Sequence, residues 1–207
     1  MYYHGTEIER GIRILKKNKM EYSKSEHHWL GDGIYLYREC LYAFRWIVLM
    51  YKDRYPGGNI ERELLTKYSI LSVDIQFIEE RLFSFFNPEH QIAYLKVKEE
   101  CEKKRGYSKQ FATYECVDGL VLNIMFKNMD YGKNYDVVEA VFPIDDLGNV
   151  KSRIKSLNEY QLCIKNPDVI CNIKNFNENI DYHTFRNRLS AFDSFRQSKK
   201  STNKYRT

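Results

Sequence analysis

Three runs of β-branched and aromatic residues, Tyr68–Ile75, Asp136–Phe142 and Glu159–Lys165, stand apart in the chain, with helical periodicity between them in pieces of unequal length. That unevenness is the strongest constraint on the fold. Regular βαβ alternation would imply a parallel, doubly wound sheet, whereas helices early and strands late imply an α+β fold. The first helix is expected over about Thr6–Lys16. Thr6-Glu7-Ile8-Glu9 reads as a capping box with Thr6 at the N-cap, and Ile8, Ile12 and Leu15 follow at helical spacing. Gly31-Asp32-Gly33 marks a turn opening a short strand, Ile34–Tyr37, and a second helix is expected over Cys40–Asp53. Tyr55–Asn59 reads as a loop, Phe77–Phe86 and Glu89–Lys104 as helical, and Tyr114–Lys127 as helix rather than strand.

Charge narrows the function classes. The chain of 207 residues carries 33 Lys+Arg against 28 Asp+Glu, a net charge of +5. The surplus resides in the tail, where Arg196, Lys199, Lys200, Lys204 and Arg206 stand without an acid, so the body is balanced. A balanced body argues against a dedicated duplex-binding domain. The longest apolar run, Trp46–Tyr51, is far below the ~20 residues of a membrane span. Five cysteines without a C-x-x-C pair fit reduced thiols in a cytoplasmic protein, and no signal peptide is read at the N-terminus. His27-His28 reads as two exposed loop histidines, and no metal site is expected.

One constellation carries chemistry. Tyr3-His4-Gly5-Thr6 puts a histidine and a glycine just ahead of a helix; Gly31-x-Gly33-Ile34-Tyr35 opens a tyrosine strand; Ala43-x-x-Trp46 sets an aromatic eleven residues past Tyr35 on the next helix. Aromatic faces suit a flat ligand, a glycine permits close backbone approach, and a histidine can bond a ribose hydroxyl. Together these residues describe a nucleotide pocket.

The set resembles the ADP-ribosyltransferase domain of the diphtheria toxin and poly(ADP-ribose) polymerase branch, the H-Y-[EQ] type, in its bacterial or phage-borne forms. That branch carries His-Gly-Ser/Thr, then Gly-x-Gly-Ile-Tyr, then a Ser/Ala-rich helix ending in an aromatic. The resemblance implies a split antiparallel sheet with flanking helices over residues 1–175, an appended helix over 176–197 and a basic tail over 198–207. It implies NAD as co-substrate and no metal. His4 would contact the adenosine-side ribose, Gly5 would offer its backbone to the nicotinamide amide, and Tyr35 and Trp46 would sandwich the nicotinamide. Thr6, Gly33 and Ala43 complete the cofactor-binding motif.

The family's late-strand glutamate aligns with Gln161, while Glu159 lies two residues earlier and, by strand alternation, on the same face. Glu139 on the preceding strand is a further carboxylate. The resemblance therefore implies a mono-ADP-ribosyltransferase in the style of intracellular toxins or defence effectors, transferring to a protein or nucleic-acid acceptor. A silent NAD-binding module and an NAD glycohydrolase are the alternatives. The loop Asp145–Asn158, with Lys151, Arg153 and Lys155, is the expected acceptor contact. Phe185, Leu189, Phe192 and Phe195 form an apolar stripe that either packs on the body or docks a neutralising protein partner.

Overall fold

A computed structural model describes residues 1–104, 117–143 and 158–190. In chain order its elements begin with β1 (Tyr2–Glu7), α1 (Ile8–Lys17), β2 (Ile34–Tyr37), α2 (Cys40–Arg54), α3 (Ile60–Lys67) and β3 (Tyr68–Ile75). They continue with β4 (Leu82–Ser84), α4 (Pro88–Lys103), α5 (Val117–Asn128), α6 (Tyr131–Asn134), β5 (Val137–Pro143), β6 (Asn158–Ile164) and β7 (Ile170–Asn175). A last helix, α7, spans residues 182–190 as described. The expected loop 145–157, Cys116, Phe192, Phe195 and the basic tail lie outside the described residues.

The strands form one seven-stranded sheet in the order β4-β5-β6-β2-β1-β3-β7. Every neighbouring pair is antiparallel except β4 and β5, which run parallel. The architecture is α+β with a mixed sheet. Alternation sorts the side chains to two faces. Leu36, Leu71, Leu162 and Ile164 pack beneath Ile14 of α1. On the other face, Ile70 packs with Ala43, Phe44, Ile47 and Tyr51 of α2, while Val138 and Cys163 pack with residues of α4 and α5.

Local chemistry explains several element ends. Asn87 caps α4 by accepting from the Glu89 backbone N–H, with Pro88 at the first helical position, where a missing N–H costs nothing. Asn59 caps α3 through the Arg62 N–H. Asn18 closes α1 in the left-handed region, φ 46°, and its N–H bonds back to the helix.

The beginning of the chain departs from expectation. Thr6 does not cap α1; it belongs to β1, paired with Ser69 of β3, and the N-cap is Glu7 without a side-chain bond. The β1–β3 ladder runs on through Thr6 and Glu7, where local capping chemistry predicts the start of the helix, because tertiary pairing outweighs a capping box of modest strength. Residues 77–86 are likewise not a helix. A single 3₁₀ turn, Glu79–Arg81, leads into β4, whose backbone pairs with β5. Helix α3 and strand β7 were not expected, so β6 is not the final strand.

The C-terminal stripe packs on the body as far as it is described. Leu189 is buried with Ile180 in the α2 cluster, and Phe185 and Tyr182 meet the Phe44 ring at centroid distances of 5.1 and 6.0 Å. No helix among the described residues is long and apolar enough to cross a membrane.

Candidate functional site

Strand β1 is paired unequally on its two sides. Against β3 it runs in register for its whole length, from Tyr2↔Val73 to Glu7↔Tyr68. Against β2 it has one register pair, Tyr3↔Tyr37. Past that pair a side chain takes over the bridging. His4 Nδ1 lies 2.8 Å from the Tyr35 carbonyl oxygen. A carbonyl only accepts, so Nδ1 carries the proton, and the neutral ring keeps Nε2 as an acceptor. Burial pulls the His4 imidazole down to about 4, aided by the Arg10 charge and opposed by the Tyr35 bond. The ring is therefore neutral at physiological pH.

A cavity of about 410 Å³ opens at this splay between β1 and β2. Its volume lies in the usual range for small-molecule sites, roughly 300–1,000 Å³. β1 contributes His4, Gly5 and Thr6; β2 contributes Ile34, Tyr35 and Tyr37; α2 contributes Tyr42, Arg45, Trp46 and Leu49; β6 contributes Glu159 and Gln161. The segment between α1 and β2 crosses one side, supplying Glu21, Ser23 and His28 among others. It is fastened by the Arg10 Nε–Glu21 ion pair at 2.8 Å and by a two-bond bridge between Ser23 and Gly33.

Seven of the nine residues singled out in the sequence line this one cavity: His4, Gly5, Thr6, Tyr35, Trp46, Glu159 and Gln161. Gly33 and Ala43 do not. They serve close packing instead. A Cβ at Gly33 would stand 2.3 Å from Cys163 Sγ, and Ala43 is fully buried where α2 crosses β1. Gly5 has a packing reason as well. A Cβ there would approach Ala43 O and Ile47 Cγ2 to 2.9 Å and Trp46 Cε3 to 3.0 Å, so only glycine lets α2 lie this close and bring Trp46 to the cavity.

The aromatic walls are fixed from behind. The Tyr35 hydroxyl donates to Gly31 O at 2.7 Å and accepts from Leu30 N at 2.9 Å, which anchors the ring at the turn before β2. The His28 ring leans on it at 4.9 Å. Trp46 meets Tyr68 edge to face, with centroids 6.4 Å apart. His28 is thus not an exposed loop histidine; it is half-buried, bonds Ser23 Oγ through Nε2 at 3.3 Å, and burial lowers its pKa.

At the β6 wall, Glu159 and Gln161 are 5% and 6% exposed and share the face expected from alternation. Gln161 Nε2 donates to Glu159 Oε1, and Arg45 Nη1 reaches Glu159 Oε2 at 3.3 Å. Burial holds the Glu159 carboxyl above its ordinary pKa, opposed by the Gln161 hydrogen bond and the Arg45 charge. Tyr37, register partner of Gln161, has a buried hydroxyl that is pushed strongly upward by desolvation and by Glu159, and it stays protonated. Glu139, in contrast, sits on the opposite face of the sheet, bonded by Ser84 and Tyr160, and does not line the cavity.

The arrangement offers a neutral histidine acceptor, two aromatic walls, and a carboxylate with an amide beside it. Arg10, Glu21 and Arg45 were not singled out in the sequence, and His28 was read there only as an exposed loop histidine. Arg45 sits one residue before Trp46, and that adjacency was the only local signal. Among the described residues, no three His, Cys, Asp or Glu side chains gather to hold a metal ion. The thiols of Cys40, Cys101, Cys163 and Cys171 are free.

No family model matches the sequence, and no solved structure matches it. A curated relative does: the uncharacterized protein MJ0359 of Methanocaldococcus jannaschii is 30% identical over 184 residues, covering 81% of this chain and 83% of its own. The chain belongs to one family with this archaeal protein.

Proposed function

We propose that the cavity binds NAD and that the protein is an NAD-dependent mono-ADP-ribosyltransferase. The observation that carries the reading is convergence. His4, Tyr35, Trp46, Glu159 and Gln161, drawn from β1, β2, α2 and β6, meet at one cavity where two central strands part. The split antiparallel ADP-ribosyltransferase-like core belongs to this proposal.

In this reading the nicotinamide ring stands between Tyr35 and Trp46, and His4 Nε2 accepts from a ribose hydroxyl. The nicotinamide–ribose C–N bond breaks, and its electron pair leaves with nicotinamide. A nucleophilic oxygen or nitrogen of a macromolecular acceptor, protein or nucleic acid, bonds to the ribose C1′ and loses its proton. The intervening centre is oxocarbenium-like, so an adjacent carboxylate stabilises it, as in glycoside cleavage. Glu159 supplies that charge, and Gln161 can hydrogen-bond the ribose without adding charge. The toxin- or defence-effector-like role belongs to the same proposal.

Incubation with labelled NAD and cell extract tests it. Free nicotinamide and labelled macromolecule are expected, and His4→Ala and Tyr35→Ala each abolish both. Absence of nicotinamide release, label and NAD binding together would sink the reading. A second reading, an NAD- or ADP-ribose-binding module without turnover, is favoured by the Arg45 contact that offsets the Glu159 charge. Calorimetric binding without nicotinamide release selects it.

A further inference from the structure

We infer that Arg45 is the anchor for a phosphate of the bound ligand, and that it exchanges Glu159 for that phosphate when the ligand enters. The inference rests on the NAD-binding reading and adds to it a determinant of ligand class: the site selects nucleotides over nucleosides.

The cavity has two permanent cations, Arg10 and Arg45. They are engaged differently. Arg10 Nε lies 2.8 Å from the Glu21 carboxylate as a charge contact without hydrogen-bond geometry, and Nη2 donates to the Glu21 carbonyl at 3.4 Å, so its charge is committed to the segment that crosses the cavity. Arg45 has, among the described residues, one acceptor, a single 3.3 Å contact from Nη1 to Glu159 Oε2. A guanidinium carries five N–H donors in a planar fork, and a single long contact leaves most of them unused. The side chain is 25% exposed, rooted on α2 and turned to the cavity beside Trp46. Glu159, for its part, keeps the Gln161 amide on its other oxygen, so it is not stranded when the guanidinium leaves.

The geometry thus sets a spare bidentate donor next to the aromatic pair. A phosphate matches that fork and forms charge-assisted bonds stronger than the present contact. The exchange also serves the reaction. A carboxylate paired to arginine stabilises a developing cation poorly, and moving the guanidinium to the ligand frees the Glu159 charge for it. In this reading the phosphate it takes is the one attached to the nicotinamide-side ribose, since Arg45 and Trp46 line the cavity from the same helix.

Nicotinamide mononucleotide and nicotinamide riboside differ by that phosphate alone, and the quenching of tryptophan fluorescence reads the binding of each. The full-length protein is expected to bind the mononucleotide about tenfold or more tightly than the riboside. Arg45→Gln collapses that ratio to about one by weakening the mononucleotide, Arg45→Lys restores part of it, and the riboside affinity hardly moves. Glu159→Gln/Arg45→Gln repeats the measurement without an unpaired buried carboxylate, in case the single variant folds poorly. Equal binding of the two ligands by the wild type, or an Arg45→Gln loss shared equally by both, overturns the anchor and leaves the NAD reading intact. Failure of the wild type to bind NAD or either probe overturns both.

Discussion

The two flanks of β1 make opposite use of the same strand. Toward β3, six consecutive register pairs and the apolar layer of Leu71 and Val73 produce a dry, continuous ladder. Toward β2, one register pair and a histidine side chain bridge a gap that becomes a 410 Å³ cavity. A strand fixed on one edge can leave the other edge open at little cost, because its position no longer depends on that second ladder. The difference teaches where this fold keeps its stability and where it can hold chemistry.

The comparison can be broken first from the dry side. Leu71→Ala, at a fully buried position opposite His4, is expected to destabilise the fold by about 2–5 kcal/mol, read as the midpoint of urea unfolding. An undiminished midpoint would contradict the view that the β3 flank carries the strand. On the open side the corresponding loss is catalytic. Glu159→Gln is expected to lower nicotinamide release on the order of a hundredfold, about 3 kcal/mol of transition-state stabilisation, with the unfolding midpoint little changed.

Gly5→Ala sharpens the boundary between the flanks, since its added methyl strikes α2 and not a ligand. Overpacking of this kind costs roughly 1–3 kcal/mol, and displacement of Trp46 should weaken NAD binding in parallel. A variant that loses affinity with no loss of stability would instead assign Gly5 to direct ligand contact. The smallest effect is the response to pH. His4 titrates near 4 in the folded chain against 6.5 for an ordinary histidine, so the unfolded chain binds more protons between those values. Stability contributed by neutral His4 is complete above pH 6.5 and is lost as the pH falls toward 4. The wild-type unfolding free energy should drop through that window more steeply than that of His4→Gln.

Much of the sheet was legible because alternation is local. Ile34–Tyr37 and Tyr68–Ile75 coincide with β2 and β3, and Cys40–Asp53 differs from α2 by one residue. What was hidden depends on distant partners. Thr6 looks like a cap until Ser69 pairs with it, and Leu82–Ser84 becomes a strand only because β5 lies alongside. The edge strand β7, Ile-Cys-Asn-Ile-Lys-Asn, has too few apolar positions to announce itself. The site divides in the same way. His4, Tyr35 and Trp46 could be read because their motif spacings are short. Arg10, Glu21, His28 and Arg45 could not, since ordinary helix or loop residues acquire meaning only when the splay of β1 and β2 turns them toward a common space.

The contact between Arg45 and Glu159 joins positions 114 residues apart. On a ribosome, α2 and the first two strands emerge long before β6, and the order of synthesis therefore dictates when the cavity is finished. Pairings of such separation are slow to form, because a long loop must close before any contact rewards it. The nascent chain carries its aromatic walls and its arginines early and its β6 wall among the last elements, so a polypeptide interrupted before residue 159 lacks the Glu159 carboxylate and the Gln161 amide.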